Sequence, residues 1–164
     1  MIGESQYTER FIGGDIVQLF LKGSDYHRFH SPISGVILSV ATIPGLFFTN
    51  REIHDYSRGT DSLGFASSTL TRKAVFIQAD DPAIGVVCMI AIGITEVSSV
   101  SVFTDVGQHV KKGDQVGWFS YGGSSIVLLF EPKVVRHFMV ETAPEEKWEN
   151  GQEVKARGHI ATTS

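Results

Sequence analysis

Residues 75–104 read VFIQADDPAIGVVCMIAIGITEVSSVSVFT. Three runs rich in β-branched and aromatic residues, Val75–Ala79, Gly85–Ile94 and Glu96–Thr104, follow one another here at short intervals. They are bounded by Asp80, Asp81, Pro82 and glycine, which is the punctuation of strands. The same texture extends outward in both directions, through Ile16–Leu21 and Val36–Ile43 upstream and Gln115–Phe119, Ser125–Phe130 and Val134–Val140 downstream. Pro32, Pro44, Pro82, Pro132 and Pro144 fall between these runs, where a missing N–H does least harm. The one helix the pattern predicts is short, at Glu4–Phe11. With 17 glycines and three methionines in the chain, the expectation is an all-β fold of the sandwich or barrel-sandwich kind.

The chain has 164 residues, 42% of them hydrophobic and 20% charged, so a single domain over 1–164 is expected and wholesale disorder is excluded. A net charge of −4 lacks the Lys/Arg excess that phosphate neutralisation requires, which argues against a nucleic-acid partner. One cysteine, Cys88, excludes an internal disulfide and any CxxC metal or redox pair; in VVCMIAI it reads as a buried apolar residue. No apolar run reaches the roughly 18 residues of a membrane span, and MIGESQYTERF has no signal-peptide core. A cytoplasmic location is therefore the expectation. Two stretches break the strand rhythm. Ile53–Thr71 is polar and long for a loop, either mobile or a lid over a site, and Glu141–Gly151 reads as a solvated connection.

SPISGVILSV near residue 31 and VGQHVKKGDQVGWF near residue 106 each resemble half of a biotinyl/lipoyl-type barrel-sandwich unit. In the second, VKKGD suits a hairpin turn because Gly113 can take a positive φ. No lysine flanked as a carrier would need is present.

Two segments carry possible chemistry. In Phe119–Glu131, FSYGGSSIVLLFE, two glycines and two serines interrupt a strong strand pattern. They mark either a bulge or tight bend, or a strained Gly–Ser peptide open to its own serine. In the second case the Ser124 oxygen attacks the Gly123 carbonyl, an N→O acyl shift gives an ester, and elimination splits the chain. Dehydroalanine remains at position 124 and hydrolyses to a pyruvoyl group, a ketone able to form a Schiff base with an amine and accept electrons from a breaking C–C bond. In Asp25–Pro32, DYHRFHSP, His27 and His30 stand three apart. On a flat strand they face opposite sides, which makes a poor metal clamp. They are either structural, or a base and an acid at neutral pH, since imidazole titrates near pH ~6.5. His54, His109, His137 and His159 read as structural.

DYHRFHSPISG, followed about ninety residues later by VKKGDQVGWFSYGGSSIVLLF, resembles the catalytic part of the phosphatidylserine decarboxylase family. The family's D-Y-H-R-x-H motif and its x-G-S-[ST] processing motif, here Gly122-Gly123-Ser124-Ser125, are joined by a K-G-[DEQ]-x-x-G-x-F element present as KGDQVGWF. The resemblance covers about residues 10 to 140. It implies a mostly β fold, self-cleavage at Gly123–Ser124, and a pyruvoyl cofactor made from Ser124. By the same resemblance His30 is the base that activates the serine, and His27 is the group near the substrate carboxylate. The stretch FIQADDPAIGVVCMIAIGITEVSSV, where the lipid enzymes carry other elements, is more similar to the soluble branch that includes fungal aromatic amino acid decarboxylases. The implied partner is a small amine, an amino acid or a phosphatidylserine head group. The family's N-terminal P-A-D-G-like segment, whose aspartate orients the catalytic histidine, is expected to lie outside this sequence. Asp25, Asp55 and Asp61 are the candidate substitutes, and the expectation is that the chain self-processes poorly or not at all, its Gly123–Ser124 bond intact and its catalysis dependent on a longer form or a complementing N-terminal segment.

Two functions are thus open: a pyruvoyl-dependent carboxy-lyase, or a non-catalytic barrel-sandwich module or fragment that needs a partner chain. The loop 53–71 and the region of Phe47 and Phe48 are candidates to line a pocket. The sequence leaves the oligomeric state open.

Overall fold

The computed structural model describes residues 1–3, 5–21, 24–46, 63–94, 99–120, 124–140 and 152–163. A six-stranded antiparallel sheet runs in the order β1 (Asp15–Leu21), β9 (Ser124–Phe130), β5 (Val86–Gly93), β4 (Arg72–Ala79), β3 (Gly35–Ile43) and β7 (His109–Val110). A three-stranded sheet of β2 (Arg28–His30), β8 (Gln115–Ser120) and β6 (Ser99–Val102) packs against one face. The ribbon β10 (Val135–Phe138) with β11 (Ala161–Thr163) completes the described strands.

The texture of β5 explains the layering. Successive residues of a strand point to opposite faces, so a strand covered on both sides has no polar position. Every residue of β5 is buried. Val87, Met89 and Ala91 join Val75, Ile77 and Leu128 in the core between the sheets, where the small sheet supplies Phe29, Val100, Val116 and Phe119. Val86, Cys88, Ile90 and Ile92 enter a second core with Phe76, Leu70 and Ile2, against which Tyr7 and Phe11 pack. Each fully buried side chain of this size contributes about 1.5–3 kcal/mol from removal of apolar surface from water.

The all-β expectation holds, with short helical pieces. The helix expected at Glu4–Phe11 is a single 3-10 turn, Thr8–Phe11. The expected loop 53–71 is corrected over its second half. Residues 53–62 lie outside the described residues, but Leu63–Thr69 form the helix α1. Its polar composition misleads because Ser68 and Thr69 bond back to the carbonyls of Gly64 and Phe65, while Ser67 and Leu70 are fully buried. The expected connection Glu141–Gly151 lies outside the described residues. β2, β7 and β11 have two or three residues each, too short to leave a periodic signal.

Gly113 takes the expected positive φ, +87°. The turn is not a hairpin, however, because β7 pairs with the large sheet and β8 with the small one. It carries the chain from one sheet to the other. The two echoing segments do meet, through Gly35 opposite Val110 and Val36 opposite His109.

Candidate active site

Ser124 is the first residue of β9, opposite Gly93 of β5 and Leu21 of β1. Alternation along the strand puts it on the same face as Ile126, Leu128 and Phe130, turned toward the small sheet. Ser125 and Val127 take the opposite face. Both serines are fully buried.

The small sheet delivers the histidine. The Phe119 N–H donates to the His27 carbonyl at 2.9 Å, which prolongs the β2–β8 ladder one residue ahead of β2. A period of two then places His27 beside Phe29 on the inner face, and Arg28 and His30 on the outer one. Phe29 is buried against Phe119, with ring centroids 5.1 Å apart, and the His27 ring meets Phe119 edge-on at 6.5 Å. The outcome is a contact of 3.1 Å between His27 Nδ1 and Ser124 Oγ.

Two elements of KGDQVGWF seat this strand. Gly117 lies opposite Phe29, and a Cβ there would collide with the Phe29 ring and the Ser101 carbonyl. The Lys111–Asp114 turn grips the residues after the histidines. Gly113 N–H donates to the Ser31 carbonyl, Ser31 N–H donates to the Asp114 carbonyl, both at 2.8 Å, and Lys112 N–H donates to Ser34 Oγ at 2.9 Å. The Asp114 carboxylate closes the turn by accepting the Lys111 N–H.

His30 sits elsewhere. Its ring stacks on Tyr26 with centroids 5.7 Å apart, and its Nε2 lies 3.4 Å from the Tyr26 hydroxyl. Burial, then the nearby Arg157 and Arg28 guanidiniums, push its pKa below the ordinary imidazole value, which favours the neutral ring. The structure therefore brings together Ser124 and His27, and places His30 on the other face of β2. The physical reason is the three-residue spacing on an extended strand. Gly123, Phe47, Phe48, Asp55 and Asp61 lie outside the described residues, and Asp25 is exposed.

A polar cluster behind Ser124 escaped the sequence reading. Gln18 Nε2 donates to Ser125 Oγ at 2.8 Å and to Ser67 Oγ at 2.9 Å. Its only signal was one glutamine in the apolar run DIVQLFL.

The family model for phosphatidylserine decarboxylase matches residues 1–162, and the chain belongs to that family. It is 36% identical over 138 residues to an L-tryptophan decarboxylase of Psilocybe cyanescens, covering 78% of this chain and 31% of the relative. It is 35% identical over 134 residues to phosphatidylserine decarboxylase proenzyme 3 of Schizosaccharomyces pombe, covering 82% of this chain and 13% of the relative. To a phosphatidylserine decarboxylase proenzyme of Chlamydia trachomatis it is 31% identical over 132 residues, 80% of this chain and 42% of the relative. The chain thus spans less than half the length of these relatives. Among the described residues no helix is long and apolar enough to cross a membrane.

Proposed function

We propose that this chain is the catalytic part of a pyruvoyl-dependent decarboxylase that cuts itself between Gly123 and Ser124. The observation that carries this is the contact between His27 Nδ1, partly exposed, and the buried Ser124 Oγ, at the serine of the family's processing motif. In this reading His27 accepts the hydroxyl proton as Ser124 Oγ bonds to the Gly123 carbonyl carbon. The C–N bond of the peptide breaks, its nitrogen takes up a proton, and an ester links the two halves. Loss of the Cα proton of residue 124 then expels the Gly123 carboxylate, and hydrolysis of the dehydroalanine releases ammonia and leaves the ketone.

The surroundings suit such a group. Position 124 is wholly buried, Phe29 and Phe119 help exclude water from the inner face, and an imidazole is within reach of the oxygen. Once formed, the pyruvoyl ketone supplies an electron sink for breaking the carboxylate C–C bond of an amine substrate. His27 remains beside position 124 and can hold or return a proton there. In this reading the part that the family resemblance gives to His30 at the serine falls to His27. The relatives named as L-tryptophan decarboxylase and phosphatidylserine decarboxylase point to an α-amino acid group, free or as a lipid head group, as the substrate class.

Intact-mass measurement of freshly purified protein tests the reading. Against the expectation of poor processing drawn from the sequence, the reading requires pieces of 123 and 41 residues, the second beginning with the ketone, since the break follows residue 123 of 164. Carbon dioxide release is then assayed with tryptophan and with phosphatidylserine. A chain that stays whole and releases no carbon dioxide from either overturns the reading in favour of a non-catalytic module.

A further inference from the structure

The two adjacent serines at the start of β9 are held in opposite ways. The hydrogen bond described for the Ser124 hydroxyl is to an imidazole nitrogen. The Ser125 hydroxyl accepts from Gln18 Nε2 at 2.8 Å and donates to the Leu19 carbonyl at 3.0 Å. An amide nitrogen carries two hydrogens, and Gln18 directs one to Ser125 and the other to Ser67 of α1. Both serines that receive them are fully buried, so each lost bond leaves a polar atom without water.

We infer that Gln18 is a positioning residue for chain scission, an inference that rests on the proposed self-cleavage. Its amide fixes the Ser125 hydroxyl on the α1 face of the sheet, and the strict alternation of β9 then turns the Ser124 hydroxyl to the His27 face. The location gives this anchor weight. Among the described residues β1 is an edge strand, paired only with β9, so the cross-strand tie from Gln18 reinforces the contact that sets the register of Ser124 against Leu21. The tie also matters after the break, when residue 124 becomes a chain end. From then on its peptide bond to Ser125 and the ladders to β1 and β5 hold it in place. The bond from Gln18 to Ser67 makes α1 the third side of that clamp.

The same geometry accounts for which serine reacts. Attack by Ser125 on the carbonyl of residue 124 would require its hydroxyl to leave both partners, on a face that His27 does not share. Ser124 meets neither obstacle.

The test compares scission rates of the full chain and its variants, at a temperature well below each variant's unfolding midpoint. Gln18→Met keeps the length and volume of the side chain and removes both donors. It is expected to slow scission by about 10- to 100-fold, the range that a misplacement of about 1 Å produces. Ser125→Ala is expected to do the same. The double variant should be no slower than either single one, because both remove one shared restraint. Ser125→Thr retains a hydroxyl that can accept and donate, and is expected to restore most of the rate. If the single variants cut at the parent rate, or their effects multiply in the double variant, Gln18 has no positioning role. The same holds if Ser125→Thr folds yet cuts as slowly as Ser125→Ala. A parent chain that never cuts overturns the proposed self-cleavage itself, and the inference with it.

Discussion

Replacing His27 by alanine is the sharpest test of the site, because the structure and the family resemblance give its neighbour His30 different parts. His27 Nδ1 is 3.1 Å from Ser124 Oγ, already at hydrogen-bond distance for a base on the attacking hydroxyl. A positioned general base contributes about 10²- to 10⁴-fold, so His27→Ala should slow scission by that factor. The His27 ring is partly exposed and meets Phe119 edge-on, so a stability loss of about 1–2 kcal/mol is expected, too little to unfold the domain. His30→Ala removes a stacked, half-exposed ring from Tyr26 on the other face. It should change scission by less than about 10-fold, the lower end of what a displaced neighbour costs. The assay is a gel time course on each purified variant, with circular dichroism to confirm folding. Prompt scission of His27→Ala beside a whole His30→Ala chain would refute the assignment and return the base to His30.

Ser124→Ala should abolish scission and carbon dioxide release together while shifting the unfolding midpoint little, since it removes one hydroxyl; turnover in this variant would exclude a ketone from position 124. Gly117→Ala should cost several kcal/mol, of the order of ~3, and also slow scission, because the new methyl group drives Phe29 and the strand carrying His27 off β8; calorimetry and the gel assay read the two effects. Acid should destabilise the fold through His30. Its folded pKa lies below the unfolded value of about 6.5, so the unfolded chain takes up the proton first and stability falls as pH drops below that value. His30→Gln should flatten this part of the stability–pH curve, and an unchanged curve would exclude His30 as its source. Burial pushes the Cys88 thiol far up, so it should resist alkylating reagents in the native state and react promptly in denaturant.

The strand pattern was legible wherever a run was long enough to alternate or to be buried on both faces. VVCMIAI in β5 is the clearest case, with every side chain packed into one of two cores. Legibility failed where length or composition removed the signal. β2 spans three residues, yet the ladder it opens with β8 sets His27, one residue ahead of it, in the site. α1 is rich in serine and threonine and looked like a loop, because hydroxyls that bond back to the helix or bury against Gln18 are indistinguishable in sequence from solvated ones. The motifs named the serine and both histidines but not their mutual placement. That follows from the alternation of a strand whose existence the sequence did not announce.

The proposed break falls between strands of different sheets, since β8 ends in the small sheet and β9 opens in the large one. β9 lies between β1 and β5, both on the upstream side of the cut. Scission would therefore not release the downstream piece. It would leave a strand threaded through the middle of its partner, held by two ladders of seven residue pairs each. What begins as one chain folding on itself becomes two chains whose unfolding separates them and whose refolding requires them to meet again. The mature molecule would then gain stability with protein concentration, as any associating pair does, whereas the uncut chain would not. Dilution, harmless to the precursor, would become a means of inactivation once the cut is made.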